Sequence, residues 1–564
     1  MGKKVVIVGG VAGGASAAAR LRRLSEDFEI VLFERGADVS FANCGLPYYI
    51  GGVIDARKKL LVQTPVSLFK RFNINVRTLS EVTRINPQKK EVEVKNLKTS
   101  EVYTESYDYL VLSPGAKPII PDIPGINLPN VFSVRNLVDT DRLKSFIETC
   151  KPARALVIGG GYVGLEIAEN MKEQGVEITV VELMDQIMAP LDFEMASIVH
   201  DHLRKNGVNL LLKQSVTALE GDTQVRTARL STGQELEVDM VVLGIGVTPE
   251  SGLARDAGLA IGPTGGIVVD EFLRTSDPSI YAVGDAIQVK HFVTGHDALI
   301  PLAGPANKQG RIAADNIAGR PATYKGTQGT AIVGTMGIIA ATTGVNEKTL
   351  KKLGRTDYAV CHMHPEDHAR YYPGFSEISL KLIFARGDGR VLGAQIVGRH
   401  GVDKRIDVLA TAIRGGMTVY DLQELELAYA PPFSSAKDPV NMAGYVAANI
   451  LKGDYDPCFW DNMAEMLKED PLLLDVRMDK EAEKFGTIPG SVLIPLNDLR
   501  ERLAEIPRDK PIMIFCQVGL RGYIAERMMK QLGFKNVKNL CGGYKTYKPL
   551  AKMLMPSKSG PVEN

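Results

Sequence analysis

Two cysteines stand in settings that suit sulfur chemistry. Cys44 lies in Ser40-Phe41-Ala42-Asn43-Cys44-Gly45-Leu46-Pro47-Tyr48-Tyr49, and no second cysteine stands near it; the position five residues on is Tyr49. A lone cysteine of this kind stores oxidation only as a sulfenic acid, a persulfide or a mixed disulfide with a small thiol. Cys516 ends the apolar run PIMIF and opens Cys516-Gln517-Val518-Gly519-Leu520-Arg521. A strand, a cysteine, a short loop and a helix in that order aim backbone N–H groups and a helix dipole at the sulfur. Such a setting lowers a thiol pKa and stabilises an anionic persulfide. The other four cysteines, Cys150, Cys361, Cys458 and Cys541, belong to no motif, and six thiols scattered over 564 residues do not form a disulfide scaffold.

Two glycine turns carry a second kind of chemistry. Gly9-Gly10-Val11-Ala12-Gly13-Gly14 keeps the outer glycines of G-x-G-x-x-G, with Val11 at the middle position and Glu34 ending the next strand. Gly159-Gly160-Gly161-Tyr162-Val163-Gly164 is complete, and Glu182 follows at the end of its own next strand. Such glycines let a helix N-terminus approach a pyrophosphate, while the acid accepts from ribose hydroxyls. Glu182 has no adjacent Arg or Lys to receive a 2′-phosphate, which favours NADH over NADPH. Asp285, in Tyr281-Ala282-Val283-Gly284-Asp285-Ala286, ends a further strand, and Gly115 lies in the Pro-rich crossover between the two turns.

The elements that must position these groups follow from pattern. KVVIV, an alanine-rich helix and EIVLFE make a βαβ opening, and residues 154 to 182 repeat it. EVEVKNLKTS and YDYLVLSPGAKPIIPDIPG read as strands and a crossover, so the second nucleotide module is inserted within the first. MVVLGIGVTP and SIYAVGDA are two short strands expected to complete that split first module. Alternating segments such as SLKLIFA and VLGAQIVG, then two helices, form a separate α+β unit. GDYDPCFWDN, with the single Trp460, reads as a linker before PLLLDVR opens a last module.

The expected fold class is α/β: two Rossmann-like domains, an α+β dimerisation domain and a C-terminal α/β domain. The expected boundaries are 1–150, 151–265, 266–324, 325–450, a linker at 451–465, and 466–564. The length agrees with a prior of roughly three to four domains. A net charge of +1, from 67 basic and 66 acidic residues, gives no global field for nucleic acid or an anionic membrane. MGKKVVIVGG leaves no room for a secretory apolar region, and no stretch is long enough to span a bilayer. The expected setting is cytoplasmic and soluble, and no metal site is expected.

The order of motifs over residues 1 to 445 resembles the pyridine nucleotide-disulfide oxidoreductases. That resemblance implies FAD on Gly9, Gly13, Gly14, Glu34, Gly115 and Asp285, NADH on Gly159, Gly161, Gly164 and Glu182, and a homodimer. SFANCGLPY closely resembles the CoA-disulfide reductases and their persulfide-reducing relatives, which makes Cys44 the redox nucleophile beside the flavin. In peroxide- and oxygen-reducing relatives a His stands in the first glycine turn, where this chain has Ala12. Further roles implied by the resemblance are Tyr371 and Tyr429 reaching the partner's active site. Coenzyme A contacts are implied for Ser40, Asn43, Arg20, Arg23, Arg71 and Lys437, the cations suiting its phosphates. A family His near that site is replaced by Asn307.

LDVR at 474–477, Gly486-Thr487-Ile488-Pro489-Gly490-Ser491 and the Cys516 loop resemble rhodanese domains, with Cys516 as sulfur carrier and Arg521 shaping the loop. The expected activity is NADH- and FAD-dependent reduction of CoA persulfide, other small persulfides or polysulfides, and CoA disulfide. The alternatives left open are a plain CoA-disulfide reductase, an NADH oxidase, and a flavin-bound redox sensor whose rhodanese domain docks a protein.

Overall fold

The computed structural model describes residues 2–554; Met1 and residues 555–564, the end of the expected 466–564 module, lie outside the described residues. The chain divides into two compact units: residues up to 187 with 207–329, and residues 188–206 with those from 330 onward.

In the first unit Val5, Val6 and Ile7 are wholly buried, as required of a parallel strand covered on both faces. Lys4–Val8 is the middle of a five-stranded sheet, with Glu29–Glu34 and Asn75–Thr78 on one side and Tyr109–Leu112 and Ile280–Ala282 on the other. The helix Ala12–Leu24 makes the crossover, and Ala303–Ile317 packs along it, with Arg20 paired to Asp315 at 2.6 Å and Ser16 bonded to Asn307 at 2.7 Å.

A second five-stranded sheet has Arg154–Ile158 at its centre, flanked by Glu177–Glu182 and Met240–Leu243, with Asn209–Leu212 and Val131–Ser133 at the edges. Met240–Leu243 therefore completes the second sheet, and only Ile280–Ala282 of the two expected strands closes the first. Both strands are short, apolar and followed by glycine, so local pattern cannot tell them apart; parallel pairing with Arg154–Ile158 decides.

In the second unit an antiparallel sheet runs Ala331–Thr335, Ile338–Gly344, Val391–Gly398, Ser379–Ala385, Tyr358–Met363. Every residue of Ser379–Ala385 and Val391–Gly398 is buried, although their alternation suggests one wet face. The covering element on one side includes Phe193–Lys205, part of the 188–206 segment that groups with this unit and not with the nucleotide domain preceding it in sequence.

The last module is a parallel sheet ordered Pro457–Cys458, Val537–Leu540, Ile512–Phe515, Leu472–Asp475, Val492–Leu493. Pro457–Cys458, within the stretch expected as linker, is its edge strand. No helix among the described residues is long and apolar enough to cross a membrane.

Candidate active sites

In the first unit a cavity of about 780 Å³ is lined by Gly9, Gly13, Glu34, Asn43, Gly115 and Asp285. The two oxygens of Glu34 accept from the N–H groups of Gly10 at 2.9 Å and Gly36 at 2.8 Å. Glu182 repeats the device, accepting from Gly160 at 2.8 Å and Met184 at 2.9 Å. Each acid thus fixes its glycine turn and keeps its remaining acceptor capacity at the turn's mouth. Burial raises the Asp285 carboxyl, and Arg135 opposes that rise.

Within the second turn backbone approaches most closely at Gly164, whereas a Cβ on Gly161 would meet nothing nearer than 3.8 Å. A Cβ on Gly164 would stand 2.3 Å from the Gly159 carbonyl oxygen, which shows how closely helix and turn approach. The hydroxyl of Tyr162, beside that turn, is buried without a partner, so a polar group bound there has a donor waiting. These features fit one dinucleotide at each turn.

Sequence reasoning missed Gly310, on the helix Ala303–Ile317. A Cβ there would lie 2.2 Å from the Gly13 carbonyl oxygen, so Gly310 lets this helix press on the first turn. Gly310→Val is expected to yield protein purified with less than about a tenth of the parent's bound flavin, since overpacking of this kind costs about 1–3 kcal/mol; the visible flavin absorbance per chain checks it.

Cys44 sits in the turn Asn43–Gly45, which runs straight into the helix Leu46–Ile50. Leu46, Leu60 and Leu137 pin this segment from below, while Cys44 itself is exposed. Its thiol is raised above the ordinary range by desolvation and by two acids, Glu166 and Asp285. Ser40 holds a left-handed conformation (φ 50°), and its carbonyl accepts from Val62 and Gln63. Of the expected cations in this unit, Arg20 is held by Asp315, whereas Arg23 and Arg71 are exposed. Glu166 was also missed. It lies two residues after Gly164, half-buried, with Tyr48 Oη 3.5 Å from its carboxylate; desolvation lifts it to about 7.

In the second unit the hydroxyls of Tyr371 and Tyr429 meet at 2.7 Å, with Tyr371 74% and Tyr429 48% exposed. Two tyrosines bonded to each other in solvent have no packing reason to be there. Lys437 is exposed as well.

Cys516 is fully buried, and the Gly519 N–H donates to its Sγ at 3.1 Å. The helix Leu520–Gln531 starts at once behind it. Arg521 is clamped by Glu481 through two bonds of 2.6 and 2.7 Å. Asp475 and Arg477, both buried, form a pair at 2.7 Å, and Arg477 also donates to Gln517 at 3.1 Å, which steadies the loop. Tyr544 and Lys545 N–H groups hold the carbonyls of Cys516 and Gln517. Glu481 had no motif to reveal it, and Gln517, within the Cys516 loop, was given no role there. Of the unassigned thiols, Cys361, Cys458 and Cys541 are buried and Cys150 is exposed.

Two dinucleotide cradles on successive βαβ modules, with a lone thiol beside the first, define a nucleotide-linked oxidoreductase. Residues 3–310 match the pyridine nucleotide-disulphide oxidoreductase family and 331–439 match its dimerisation domain, so the chain belongs to that family. Residues 460–549 match the rhodanese-like domain. The family's flavin and nicotinamide cofactors suit the two cradles described. A coenzyme A disulfide reductase of Staphylococcus aureus is 38% identical over 445 residues, 79% of this chain and 99% of that protein. The crystal structure of reduced Bacillus anthracis CoADR-RHD is 52% identical, covering 98% of this chain and 99% of that one, with a TM-score of 0.95. An NAD-dependent persulfide reductase from A. fulgidus is 40% identical, covering 96% and 100%, with a TM-score of 0.91.

Proposed function

We propose that this enzyme uses NADH and FAD to reduce CoA persulfide, other small persulfides or polysulfides, and CoA disulfide, releasing sulfide from the persulfides. The observation that carries the reading is Cys44, exposed and without a neighbouring cysteine beside the first glycine cradle, on a chain that also keeps a rhodanese cysteine in a donor-lined loop. The relatives named for CoA disulfide and for persulfide reduction span most of the chain and support it. Bound FAD supplies the two-electron link between NADH and sulfur.

The residues divide the remaining work. Gly159, Gly161 and Gly164 seat the NADH pyrophosphate, and Glu182 takes the adenosine ribose; Gly9, Gly13, Gly14, Glu34, Gly115 and Asp285 seat FAD. Cys44 forms the bond to substrate sulfur. Ser40, Asn43, Arg20, Arg23, Arg71 and Lys437 are the proposed CoA contacts, with Arg20 first exchanging its Asp315 partner. Tyr371 and Tyr429, exposed and paired, complete the site of the partner in a homodimer. Cys516 accepts sulfane sulfur under the Gly519 N–H, and Arg521 holds the loop through Glu481.

Cys516→Ser tests the sulfur relay. It is expected to abolish sulfur transfer at the rhodanese loop and to lower NADH-dependent turnover of polysulfide roughly tenfold or more, since the covalent carrier is gone. Turnover of every sulfane donor equal to the parent's would remove the relay from the account.

A further inference from the structure

The loop that carries Cys516 is held from behind by the start of the helix Gly543–Leu554. The first N–H groups of a helix have no partner within it. Here those of Tyr544 and Lys545 donate to the carbonyls of Cys516 and Gln517 at 2.8 and 3.0 Å. The approach is close: a Cβ on Gly543 would stand 2.4 Å from the Cys516 carbonyl oxygen, and one on Gly519 would meet the Gly542 nitrogen at 3.5 Å. A displacement of this helix start therefore moves the backbone that aims the Gly519 N–H at Cys516 Sγ.

The other side of the same turn rests on the antiparallel sheet of the same compact unit. Tyr358–Met363 is the outermost strand of that sheet. Its His362 N–H donates to Cys541 Sγ at 3.3 Å, and a Cβ on Gly542 would stand 3.3 Å from His362 Cβ. His364, just past the strand, is buried and bonded at both ring nitrogens, Nδ1 to Ser379 Oγ at 2.9 Å and Nε2 to Thr546 Oγ1 at 2.8 Å. Thr546 lies in the first turn of the helix, its hydroxyl 2.1 Å from where a Gly542 Cβ would fall, so ring, hydroxyl and turn are packed together. Burial, with Lys545 and His362 nearby, holds the His364 ring well below the ordinary histidine range. A neutral imidazole donates at one nitrogen and accepts at the other, which the two hydroxyls satisfy. Lys545 also pairs with Glu377, but both side chains are partly exposed and such a pair contributes little.

We propose that His364, acting through the Thr546 hydroxyl, is a positioning residue of the Cys516 sulfur site, so that the dimerisation domain sets the backbone donor aimed at the carrier sulfur. The proposal rests on the reading of Cys516 as sulfur carrier. In the loading step the Cys516 thiolate attacks the terminal sulfur of a polysulfide. A bond from Cys516 Sγ to that sulfur forms, the adjoining polysulfide S–S bond breaks, and its electron pair leaves with the shortened polysulfide. Negative charge passes over Sγ as this happens, and a hydrogen bond weakens steeply once its donor is turned away, so a small shift of the turn slows the step.

The test is single-turnover loading of Cys516 by inorganic polysulfide on the full chain, read by mass spectrometry of the Cys516 peptide over a range of polysulfide concentrations. Thr546→Val removes the hydroxyl at nearly constant shape, and Thr546→Ser keeps it. In Thr546→Val the rate at saturating polysulfide is expected to fall about tenfold with the half-saturating concentration unchanged, and in Thr546→Ser to stay within about twofold of the parent. His364→Leu should match Thr546→Val, and the double variant should be no slower than either, because both remove one bond. Thr546→Val loading at the parent's rate overturns the proposal. So does a Thr546→Ser protein as slow as Thr546→Val, which would place the loss in packing, or losses that multiply in the double variant. A parent whose Cys516 takes up no sulfur overturns the carrier reading itself, and the positioning role falls with it.

Discussion

Cys44→Ser is expected to cut NADH-dependent turnover of CoA disulfide and CoA persulfide by on the order of a thousandfold or more, with flavin content and thermal stability unchanged. A serine hydroxyl cannot form the S–S bond through which substrate sulfur is held, and its acidity is far below that of a thiol. Nothing in the fold compensates, because no second cysteine follows within reach on the helix Leu46–Ile50. Stability should hold to within about 0.5 kcal/mol because Cys44 is exposed. Steady-state assays paired with flavin absorbance separate the two effects. Turnover within tenfold of the parent would show that the flavin reduces substrate sulfur without this thiol.

Lys381→Met is expected to be the most damaging substitution for stability. Its ammonium is fully buried and lies 2.7 Å from Asp192, 2.5 Å from Glu194 and 2.5 Å from Glu347. Those three carboxylates could in principle hold a metal ion, but the lysine fills their centre. Gln395 and two backbone N–H groups, of Glu347 and Lys348, complete the shell around Asp192, and the lysine holds Asp192 and Glu194 below the ordinary carboxylate range. Removing it leaves buried charges unpaired, at a cost of about 3–5 kcal/mol, or a fall in Tm of about 10 °C for a unit of this size.

In the parent, carboxylates with lowered pKa contribute stability that is present above their unfolded values and is lost as pH falls. In the variant the same groups, buried without the lysine and with only His362 3.4 Å from Glu194 and Lys351 3.9 Å from Glu347, are raised and favour the folded state as they take up protons. The gap between variant and parent should therefore narrow from pH 8 toward pH 5, as read by thermal melts. A constant gap would place the loss in packing alone.

The parts that were legible in the sequence are those governed by local rules. A glycine turn between an apolar strand and a helix, with an acid ending the next strand, is legible from local pattern; that Glu34 and Glu182 also accept from the backbone of those turns is seen only in the fold. A cysteine between PIMIF and a helix reads as an anion loop, and Cys516 lies under the Gly519 N–H. What stayed hidden depends on contacts distant in sequence. Met240–Leu243 and Ile280–Ala282 look alike, and only their pairing partners assign them to different sheets. Lys381 in SLKLIFA has the spacing of a solvent-facing residue; it is buried because the segment 188–206 brings Asp192 and Glu194 over that face. Gly310 sits inside an ordinary helical pattern, and its role comes from a neighbouring turn.

The measurement that bears most directly on the account is anaerobic NADH oxidation by the purified protein, with sulfide quantified, comparing CoA persulfide with CoA disulfide. Rapid NADH loss with stoichiometric sulfide from the persulfide is the predicted result. NADH loss that is faster with CoA disulfide and yields no sulfide from the persulfide would contradict it and leave a disulfide reductase in its place.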